Sequence, residues 1–233
     1  MIILGIETST KTCSIALTDG KKLGDEISLH LGLSHSERVI PLIDEILKRN
    51  GMAIKDIDGI AVSIGPGSFT GIRVGVSTAR GLAQSLNIPL IGIPSLDGLA
   101  FGMETSGELV CPMIDALRRE IYTALYDGRK RLTPHQLIGI EDWLKILKDK
   151  SETILFLGEA VDLYENLIKD FLKKKAKIVK KERRYVSAAR VAQLGLEKLV
   201  SGEGKKYDEV FPLYIRRAEA EVKWEEKERL KKP

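Results

Sequence analysis

One run of residues, from Ile60 to Gly75, constrains the fold more than any other part of this chain. Residues 60–64 are apolar, which is typical of a buried strand, and the corner Gly65-Pro66-Gly67 follows at once. Proline restricts φ, and glycine adopts backbone angles that are closed to other residues, so the chain can turn sharply here. A helix is predicted from residue 68 or 69 to residue 87, capped by Ser68 or Thr70. The run therefore predicts one strand–corner–helix unit of an α/β protein.

Two segments have the pattern of an anion-binding loop. The corner leads into a helix N-terminus, where free N–H groups and the helix dipole favour anions. Residues 5–10, Gly-Ile-Glu-Thr-Ser-Thr, place a carboxylate and hydroxyls at the tip of the first predicted strand. A capped turn, and a turn closed by side-chain to backbone bonds, explain the same patterns equally well. Neither segment is a Walker A loop or a G-x-G-x-x-G fingerprint. The candidate anion or nucleotide contacts are Glu7, Thr8, Ser9, Gly67, Ser68 and Thr70.

Small residues share one face of the helix that follows the corner. Each of the two glycines costs about 1 kcal/mol relative to alanine, so close packing must offset them. A second helix, residues 34–50, is predicted with Ser34 as cap and an apolar arc wider than a minimal core stripe. These faces pack either on the chain's own sheet or against another chain. If they form an interface, Gly75→Leu blocks pairing and leaves the monomer folded. The candidate interface residues are Val39, Ile43, Ile46, Gly71, Gly75, Thr78, Ala79 and Leu82.

The order of predicted elements indicates a mixed sheet with helices on its faces, repeated more loosely in the second half. Strands are predicted at residues 1–7, 12–18, 23–29, 60–64 and 90–93, with a helix at 95–103. In the second half we predict strands at 109–115, 120–126 and 153–157, and helices at 141–150, 161–173 and 187–201. A boundary falls near residues 102–107. We predict a first domain at 1–105, a second at 106–215 and a charged tail at 216–233.

Composition excludes some classes of protein. Among 233 residues, 43% are hydrophobic, yet no stretch reaches the roughly 18 apolar residues of a membrane span. The start has no basic region and is predicted to be a strand instead of a signal peptide. Cys13 and Cys111 lie in apolar contexts, which predicts buried thiols and a reducing cytoplasm. The two cysteines and three histidines lack metal-ligand spacing, so we predict no metal site.

Three charged or polar segments have both a functional and a structural interpretation. Residues 173–184 contain eight basic residues and one glutamate, which suits RNA phosphates or a solvated surface. Residues 115–120, Asp-Ala-Leu-Arg-Arg-Glu, suit a charged cleft or a hairpin tip. His35 stands at a helix start, where a capping role is commoner than catalysis. No G-x-S-x-G elbow is present, and no nucleophile–base pair can be identified, so we predict no catalytic residue.

Several segments, taken in order, resemble one family of proteins. They are LGIETSTKTCSIAL, GPGSFTGIRVGVSTARGLA, PLIGIPSLDGLA, DALRREIYTALYDG and Pro212-Leu213-Tyr214-Ile215-Arg216. Over residues 1–216 the chain is similar to the TsaB (YeaZ) family of bacterial tRNA threonylcarbamoyladenosine biosynthesis. The resemblance implies the two-lobed fold of actin, sugar kinases and chaperone ATPases. In that fold each lobe is ribonuclease-H-like with a mixed sheet.

The resemblance also implies a role without chemistry of its own. The family's catalytic relative, TsaD, binds metal through an H-x-E-G-H type segment, and the matching residues here are Ser95-Leu96-Asp97-Gly98-Leu99, without either histidine. Glu7 stands where related ATPases carry aspartate, and Leu157-Gly158-Glu159-Ala160 has one glycine where an adenosine loop has two. The implied function is a non-catalytic subunit needed for TsaD to modify the adenosine next to the tRNA anticodon.

The resemblance implies partners as well. They are TsaD as a heterodimer, the ATPase TsaE, a second copy of the chain when alone, and tRNA mainly through the complex. The resemblance implies no cofactor bound by this chain alone, and ATP or ADP and metal are expected in that complex. Two alternatives stay open: a stand-alone small-molecule kinase or ATPase of the same fold, and a glycoprotease-like hydrolase.

Overall fold

A computed structural model describes residues 1–20, 24–30, 35–103 and 105–216. The first half of the chain forms a five-stranded sheet in the order β3-β2-β1-β4-β5. The pairs β1–β2 and β2–β3 are antiparallel, and β1, β4 and β5 run parallel. Its elements are β1 (Ile3–Glu7), β2 (Thr12–Thr18), β3 (Glu26–His30), α1 (His35–Arg49), β4 (Gly59–Gly65), α2 (Phe69–Leu86), β5 (Leu90–Pro94) and α3 (Ser95–Ala100).

The second half repeats this plan. A seven-stranded sheet has the order β10-β7-β6-β11-β12, again with two antiparallel pairs followed by two parallel ones. Strands β8 and β9 extend it beside β6. Its elements are β6 (Leu109–Asp115), β7 (Glu120–Thr123), β8 (Tyr126–Asp127), β9 (Lys130–Arg131), β10 (Gln136–Gly139), α4 (Ile140–Lys148), β11 (Ile154–Leu157), α5 (Ala160–Leu172), β12 (Ala176–Ile178) and α6 (Ala188–Val200).

The predicted mixed sheet with helices is confirmed, and so are most of its elements. The errors are short or polar segments. The strand predicted at 120–126 is broken after Thr123, and the helix predicted at 95–103 ends at Ala100. Strands β9, β10 and β12 were not predicted, because segments of two to four exposed or half-buried residues are too short for a clear periodic pattern. Leu23, the Ser34 cap and residues 217–233 of the predicted tail lie outside the described residues.

The core lies in three layers around the two sheets. Helices α1 and α2 cover one face of the first sheet, and α4 and α5 cover one face of the second. The inner faces of both sheets share an apolar layer with α3 and α6. Sequence order assigns α6 to the predicted second domain, yet α6 packs on β1, β2 and β4. Gly5 and Gly195 permit this contact, since a Cβ on Gly5 would lie 2.3 Å from the Ala188 carbonyl oxygen. The exact domain boundary stays a prediction.

The predicted partner-interface residues need a correction. Six of the eight are buried inside the chain itself, on the faces of α1 and α2 that pack on the first sheet, whereas Thr78 and Leu82 are half-buried. A Cβ on Gly75 would lie 2.3 Å from Thr8 Oγ1, so the glycines of α2 allow close packing on the tip of β1. Gly75→Leu would therefore damage the monomer, contrary to the prediction. The buried six are Val39, Ile43, Ile46, Gly71, Gly75 and Ala79.

Candidate functional site

The carboxylate of Glu7, at the end of β1, is fully buried and belongs to a network of serines. Its Oε1 accepts hydrogen bonds from the backbone N–H and the hydroxyl of Ser9, each at 2.6 Å, and its Oε2 accepts one from Ser63. Ser95 donates to Ser9 Oγ at 2.7 Å. Burial raises the pKa of Glu7 to about 7, although the serine hydrogen bonds oppose the shift. Glu7 thus faces the interior, where it joins β1, β4 and α3.

The Gly-Pro-Gly corner is docked on the loop between β1 and β2. Ser68 N–H donates to the Ser9 carbonyl at 2.7 Å, and Thr8 Oγ1 donates to the Gly71 carbonyl at 2.7 Å. A Cβ on Gly67 would lie 2.0 Å from the Ser9 oxygen, so glycine is required by this close approach. Ser68 Oγ accepts from Gly71 N–H, which confirms Ser68 as the cap of α2. The corner and the loop therefore satisfy each other's polar groups.

This arrangement corrects half of the predicted anion contacts. Glu7, Thr8 and Ser9 are fully buried and hydrogen-bonded within the chain, so they present no free group to a phosphate. Gly67, Ser68 and Thr70 do line a cleft. Sequence reasoning proposed all six as anion contacts, from the tip of the first strand and from the Gly-Pro-Gly corner, but could not show which groups the chain itself would use.

The cleft lies between the two sheets, and we call it the intersheet cleft. Its volume is about 510 Å³. The loop after β1 and the starts of α1 and α2 form one wall, and the β6–β7 hairpin, the start of α5 and Arg216 form the other. The residues that line it are Thr10, Lys11, His35, Ser36, Gly67, Ser68, Phe69, Thr70, Gly71, Val74, Asp115, Ala116, Leu117, Tyr122, Glu159 and Arg216.

The β6–β7 hairpin contains a left-handed turn that no sequence signal predicted. Leu117, Arg118 and Arg119 have φ of 62°, 56° and 61°, a conformation that costs roughly 1–2 kcal/mol per non-glycine residue. Arg216 holds the turn by donating to the Ala116 carbonyl at 2.7 Å and by pairing with Glu120. Both interpretations of residues 115–120 therefore apply, since this hairpin tip also lines the cleft. Leu117 is 68% exposed at the rim.

Glu159 and His35 are two ionisable groups that line the intersheet cleft. Glu159, which precedes α5, accepts from Lys11 N–H at 3.4 Å, and burial raises the pKa of its carboxyl, with further contributions from the charges of Asp115 and Asp162. His35 is 7% exposed, and its Nε2 lies 2.9 Å from the Thr10 carbonyl oxygen. Because a carbonyl only accepts, Nε2 carries a proton in this contact. Nδ1 has no hydrogen-bond partner among the described residues.

The segment that matches the TsaD metal site is built differently here. Ser95 is fully buried and bonded to Ser9, and Leu99 lies in the apolar layer between the sheets. Neither offers an imidazole. Within the described residues, no three histidine, cysteine or acidic side chains are grouped as a metal would require. Cys13 and Cys111 are both buried, as predicted, and burial raises each thiol pKa to about 11. No helix in the described ranges is long and apolar enough to cross a membrane.

The basic run from Lys173 to Arg184 is divided among several structures, which weakens its interpretation as one RNA-binding patch. Arg184 is 6% exposed and pairs with Asp162 at 2.5 Å. Lys175 donates to two backbone carbonyls after α4, and Lys177 pairs with Glu108. Much of the positive charge is therefore used to hold the second half together.

A polar cluster outside the intersheet cleft was also missed by the sequence analysis. Asp97 on α3 accepts from Tyr126 at 2.6 Å and from His135 at 2.8 Å. Burial acts to raise the pKa of Asp97, but these hydrogen bonds outweigh it, so the pKa lies below its ordinary value. The residues are 29 and 38 positions away from Asp97. No sequence pattern predicts that Asp97 contacts Tyr126 and His135. Their hydrogen bonds connect α3 to the second sheet, which is a sufficient structural role for the cluster.

Two sheets of the same mixed topology, with a cleft between them, define the class of protein. This is the two-lobed α/β fold of the actin, sugar-kinase and chaperone-ATPase type. Solved structures share it: YeaZ from Pseudomonas aeruginosa has a TM-score of 0.73 at 24% identity, covering 92% of this chain and all of that one. An activator of 2-hydroxyisocaproyl-CoA dehydratase from Clostridium difficile has a TM-score of 0.54 at 9% identity, covering 92% of this chain and all of that one.

Sequence comparisons narrow the class to one family. Residues 32–224 match the family model described as TsaD: tRNA N6-adenosine threonylcarbamoyltransferase. The tRNA threonylcarbamoyladenosine biosynthesis protein TsaB of Bacillus subtilis is 36% identical over 98% of this chain and 100% of its own length. The Escherichia coli protein of that name is 38% identical over 54% of this chain and 55% of its own. The chain belongs to the TsaB (YeaZ) family of tRNA threonylcarbamoyladenosine biosynthesis proteins.

Proposed function

We propose that this chain is a non-catalytic subunit that acts with a TsaD-type transferase to place the threonylcarbamoyl group on the adenosine next to the tRNA anticodon. The observation that carries the proposal is the position of Ser95 and Leu99 and the contacts that they make. They stand where the resemblance to TsaD requires metal-binding histidines, and they serve a buried hydrogen bond and an apolar layer. Without imidazoles at these positions, the segment has no means of holding a metal that polarises a substrate.

The partner surface in this proposal is the outer side of α1 and α2. These helices pack against each other, so their exposed faces adjoin. Ile40 on α1 is 54% exposed, and Thr78 and Leu82 on α2 remain half-buried. Ile40 thus offers an exposed apolar side chain of the kind that interface cores bury. We expect a TsaD or, in its absence, a second copy to cover this surface.

The other components belong to the assembled complex. We expect TsaE, ATP or ADP and metal to join there, and tRNA to bind mainly through TsaD. Reaction on tRNA and two buried thiols suit a cytoplasmic location.

Reconstitution tests the proposal. The chain is mixed with the TsaD of its own organism, complex formation is followed by light scattering, and threonylcarbamoyl transfer to tRNA is measured with the remaining pathway proteins present. We expect a stable complex and transfer that depends on this chain. The matched control replaces it with the Ile40→Glu variant, which should fold but fail in both assays. Transfer at full rate without this chain would refute the role, and ATP turnover by the isolated chain would favour the kinase or ATPase alternative.

A further inference from the structure

A strip of arginines and aromatic rings runs along one flank of α2 at the surface. The rings of Phe69 and Tyr214 stack with their centroids 5.0 Å apart, and Cζ of Arg73 lies 4.0 Å from the centroid of Phe69. Cζ of Arg80 lies 5.4 Å from the centroid of Phe211, whose side chain is 62% exposed. We call these five residues the arginine–aromatic strip. It combines flat apolar groups with positive charge.

The segment that supplies two of these rings, residues 211–216, is fixed to the rest of the fold. Leu213 N–H donates to the Ile64 carbonyl of β4 at 2.7 Å. Arg73 Nε donates to the Tyr214 hydroxyl at 3.0 Å, which joins the segment to α2. Side chains that are held in this way lose little conformational freedom when a ligand binds. The strip is therefore pre-organised for binding.

The two arginines of the strip keep their positive charge available. Within the described residues, no carboxylate lies at ion-pair distance from Arg73 or Arg80, although Asp208 and Glu209 precede Phe211 by only a few positions. Helix α2 itself contains no aspartate, glutamate or lysine. Aromatic faces hold both guanidiniums, so their N–H groups can still bind an anion.

The strip lies on a different flank of α2 from the positions assigned to the TsaD surface. A helix turns by about 100° per residue, which places Arg73 and Arg80 about 140–180° around the axis from Thr78 and Leu82. The two arginines are two turns apart, or about 10 Å along the axis. A partner on the flank of Thr78 and Leu82 would therefore not have to cover the strip.

Single-stranded RNA suits this arrangement better than other anions do. Unpaired bases stack on aromatic rings and on guanidinium planes, and phosphates accept hydrogen bonds from guanidinium N–H groups. The strip repeats one unit, a guanidinium beside a ring, first at Arg73 with Phe69 and again at Arg80 with Phe211. RNA also repeats one unit, a phosphate beside a base. A free phosphate or a single carboxylate would use the charges and leave the exposed rings without a role.

We propose that the arginine–aromatic strip binds single-stranded RNA, with phosphates on Arg73 and Arg80 and an unpaired base on the exposed ring of Phe211. The proposed function supplies the RNA, which is the anticodon loop of the modified tRNA. The identity of the RNA therefore rests on that function, whereas the affinity of the strip for unpaired RNA does not. The strip gives this chain a tRNA contact of its own, in addition to the contacts made through TsaD.

Fluorescence anisotropy of a labelled anticodon stem-loop RNA, titrated with the full chain, tests the proposal. Arg73→Gln and Arg80→Gln should each weaken binding about tenfold and lower the salt dependence by about one phosphate contact. Phe211→Ala should weaken binding at least fivefold and leave the salt dependence unchanged, because stacking carries no charge. Arg183→Gln, at an exposed arginine of the run 173–184, is the matched control and should bind as the wild type does. An unchanged thermal midpoint shows that each variant is folded.

Four results would overturn the proposal. The first is that the folded wild-type chain does not bind the stem-loop, and transfer that still depends on the chain would then leave the role with TsaD intact. The second is an equal loss with Arg183→Gln and Arg73→Gln, which would indicate diffuse charge. The third is a fully paired RNA duplex that binds as tightly as the stem-loop, since stacking needs unpaired bases. The fourth is that Arg73→Gln weakens association with TsaD and leaves RNA binding unchanged, which would make the strip a protein interface.

Discussion

Replacing Glu7 with glutamine should change how the stability of this protein depends on pH. The wild-type carboxyl has its ordinary pKa of 4.5 in the unfolded chain and a pKa of about 7 when folded. Glutamine has nearly the same shape and does not titrate. Its amide oxygen can accept from the N–H and hydroxyl of Ser9, and its NH₂ can donate to Ser63. The variant should therefore fold with the same network.

The sign follows from which state loses its proton first. Below about pH 4.5 both states carry the proton on Glu7, and its full contribution to stability is present. As the pH rises, the unfolded chain ionises first, which favours unfolding, and the loss continues until the folded state ionises near pH 7. A shift from 4.5 to about 7 corresponds to about 3 kcal/mol. The free energy of unfolding of Glu7→Gln, relative to wild type, should rise by that amount between about pH 4.5 and about pH 8.

Urea denaturation across this pH range measures the difference, because the other titrating groups are common to both proteins and cancel. Glu182→Gln removes an exposed carboxylate and serves as the control, for which the difference should vary by less than about 0.5 kcal/mol. If the Glu7→Gln difference is equally flat, the carboxylate is not buried as described and the interpretation of the serine network is refuted.

Three further predictions concern packing and pairing. Gly75→Ala should lower the free energy of unfolding by about 1–3 kcal/mol, because the added Cβ would clash with Thr8 at the end of β1. Gly81→Ala, with open space around it, should instead raise the free energy of unfolding by about 0.5–1 kcal/mol. Equal effects of the two substitutions in urea denaturation would contradict the packing. Ile40→Glu should weaken association with TsaD at least tenfold in light scattering. Ile146→Glu, at an exposed position of α4, should leave the association unchanged. Loss of association with both variants would indicate general damage to the fold. Arg184→Met should cost about 1–3 kcal/mol, because it removes the buried guanidinium that donates to the exposed Asp162 and to the Val179 carbonyl, and an unchanged thermal midpoint would show that these bonds contribute nothing.

Local patterns account for most of the fold that could be predicted. Apolar runs bounded by glycine and proline placed the strands of the first sheet, and Ser68 could be recognised as the cap of α2 because capping depends on neighbours in the sequence. Strands β10 and β12 could not be recognised. They are edge strands of four and three residues, too short for a periodic pattern to be recognised, so pairing with β7 and β11 defines them.

The candidate site, like the fold, has features that the sequence predicts and others that only the structure shows. The sequence singled out Glu7, Ser9, Gly67 and Ser68 as candidate contacts, since they lie at the tip of the first predicted strand and at the corner after the strand of residues 60–64. It could not tell whether these groups would bind a ligand or one another, because this depends on distances between residues about 60 positions apart. The sequence analysis did not identify Glu159 and Arg216 as cleft residues for a related reason. Glu159 contacts Lys11, and Arg216 contacts the β6–β7 hairpin, and both contacts join residues that are distant in the sequence.

The amino-acid sequence by itself determined the βα corner, the order of elements, the buried cysteines and the resemblance to a family, because each depends on residue types and short spacings. The tertiary structure alone decided that Gly71 and Gly75 of α2 pack against Thr8, at the end of β1. It also decided that Glu7 is internal, that residues 117–119 turn left-handed, and that α6 returns to the first sheet. These features depend on contacts between residues that are far apart in the sequence, and those contacts determine burial, backbone strain and pKa.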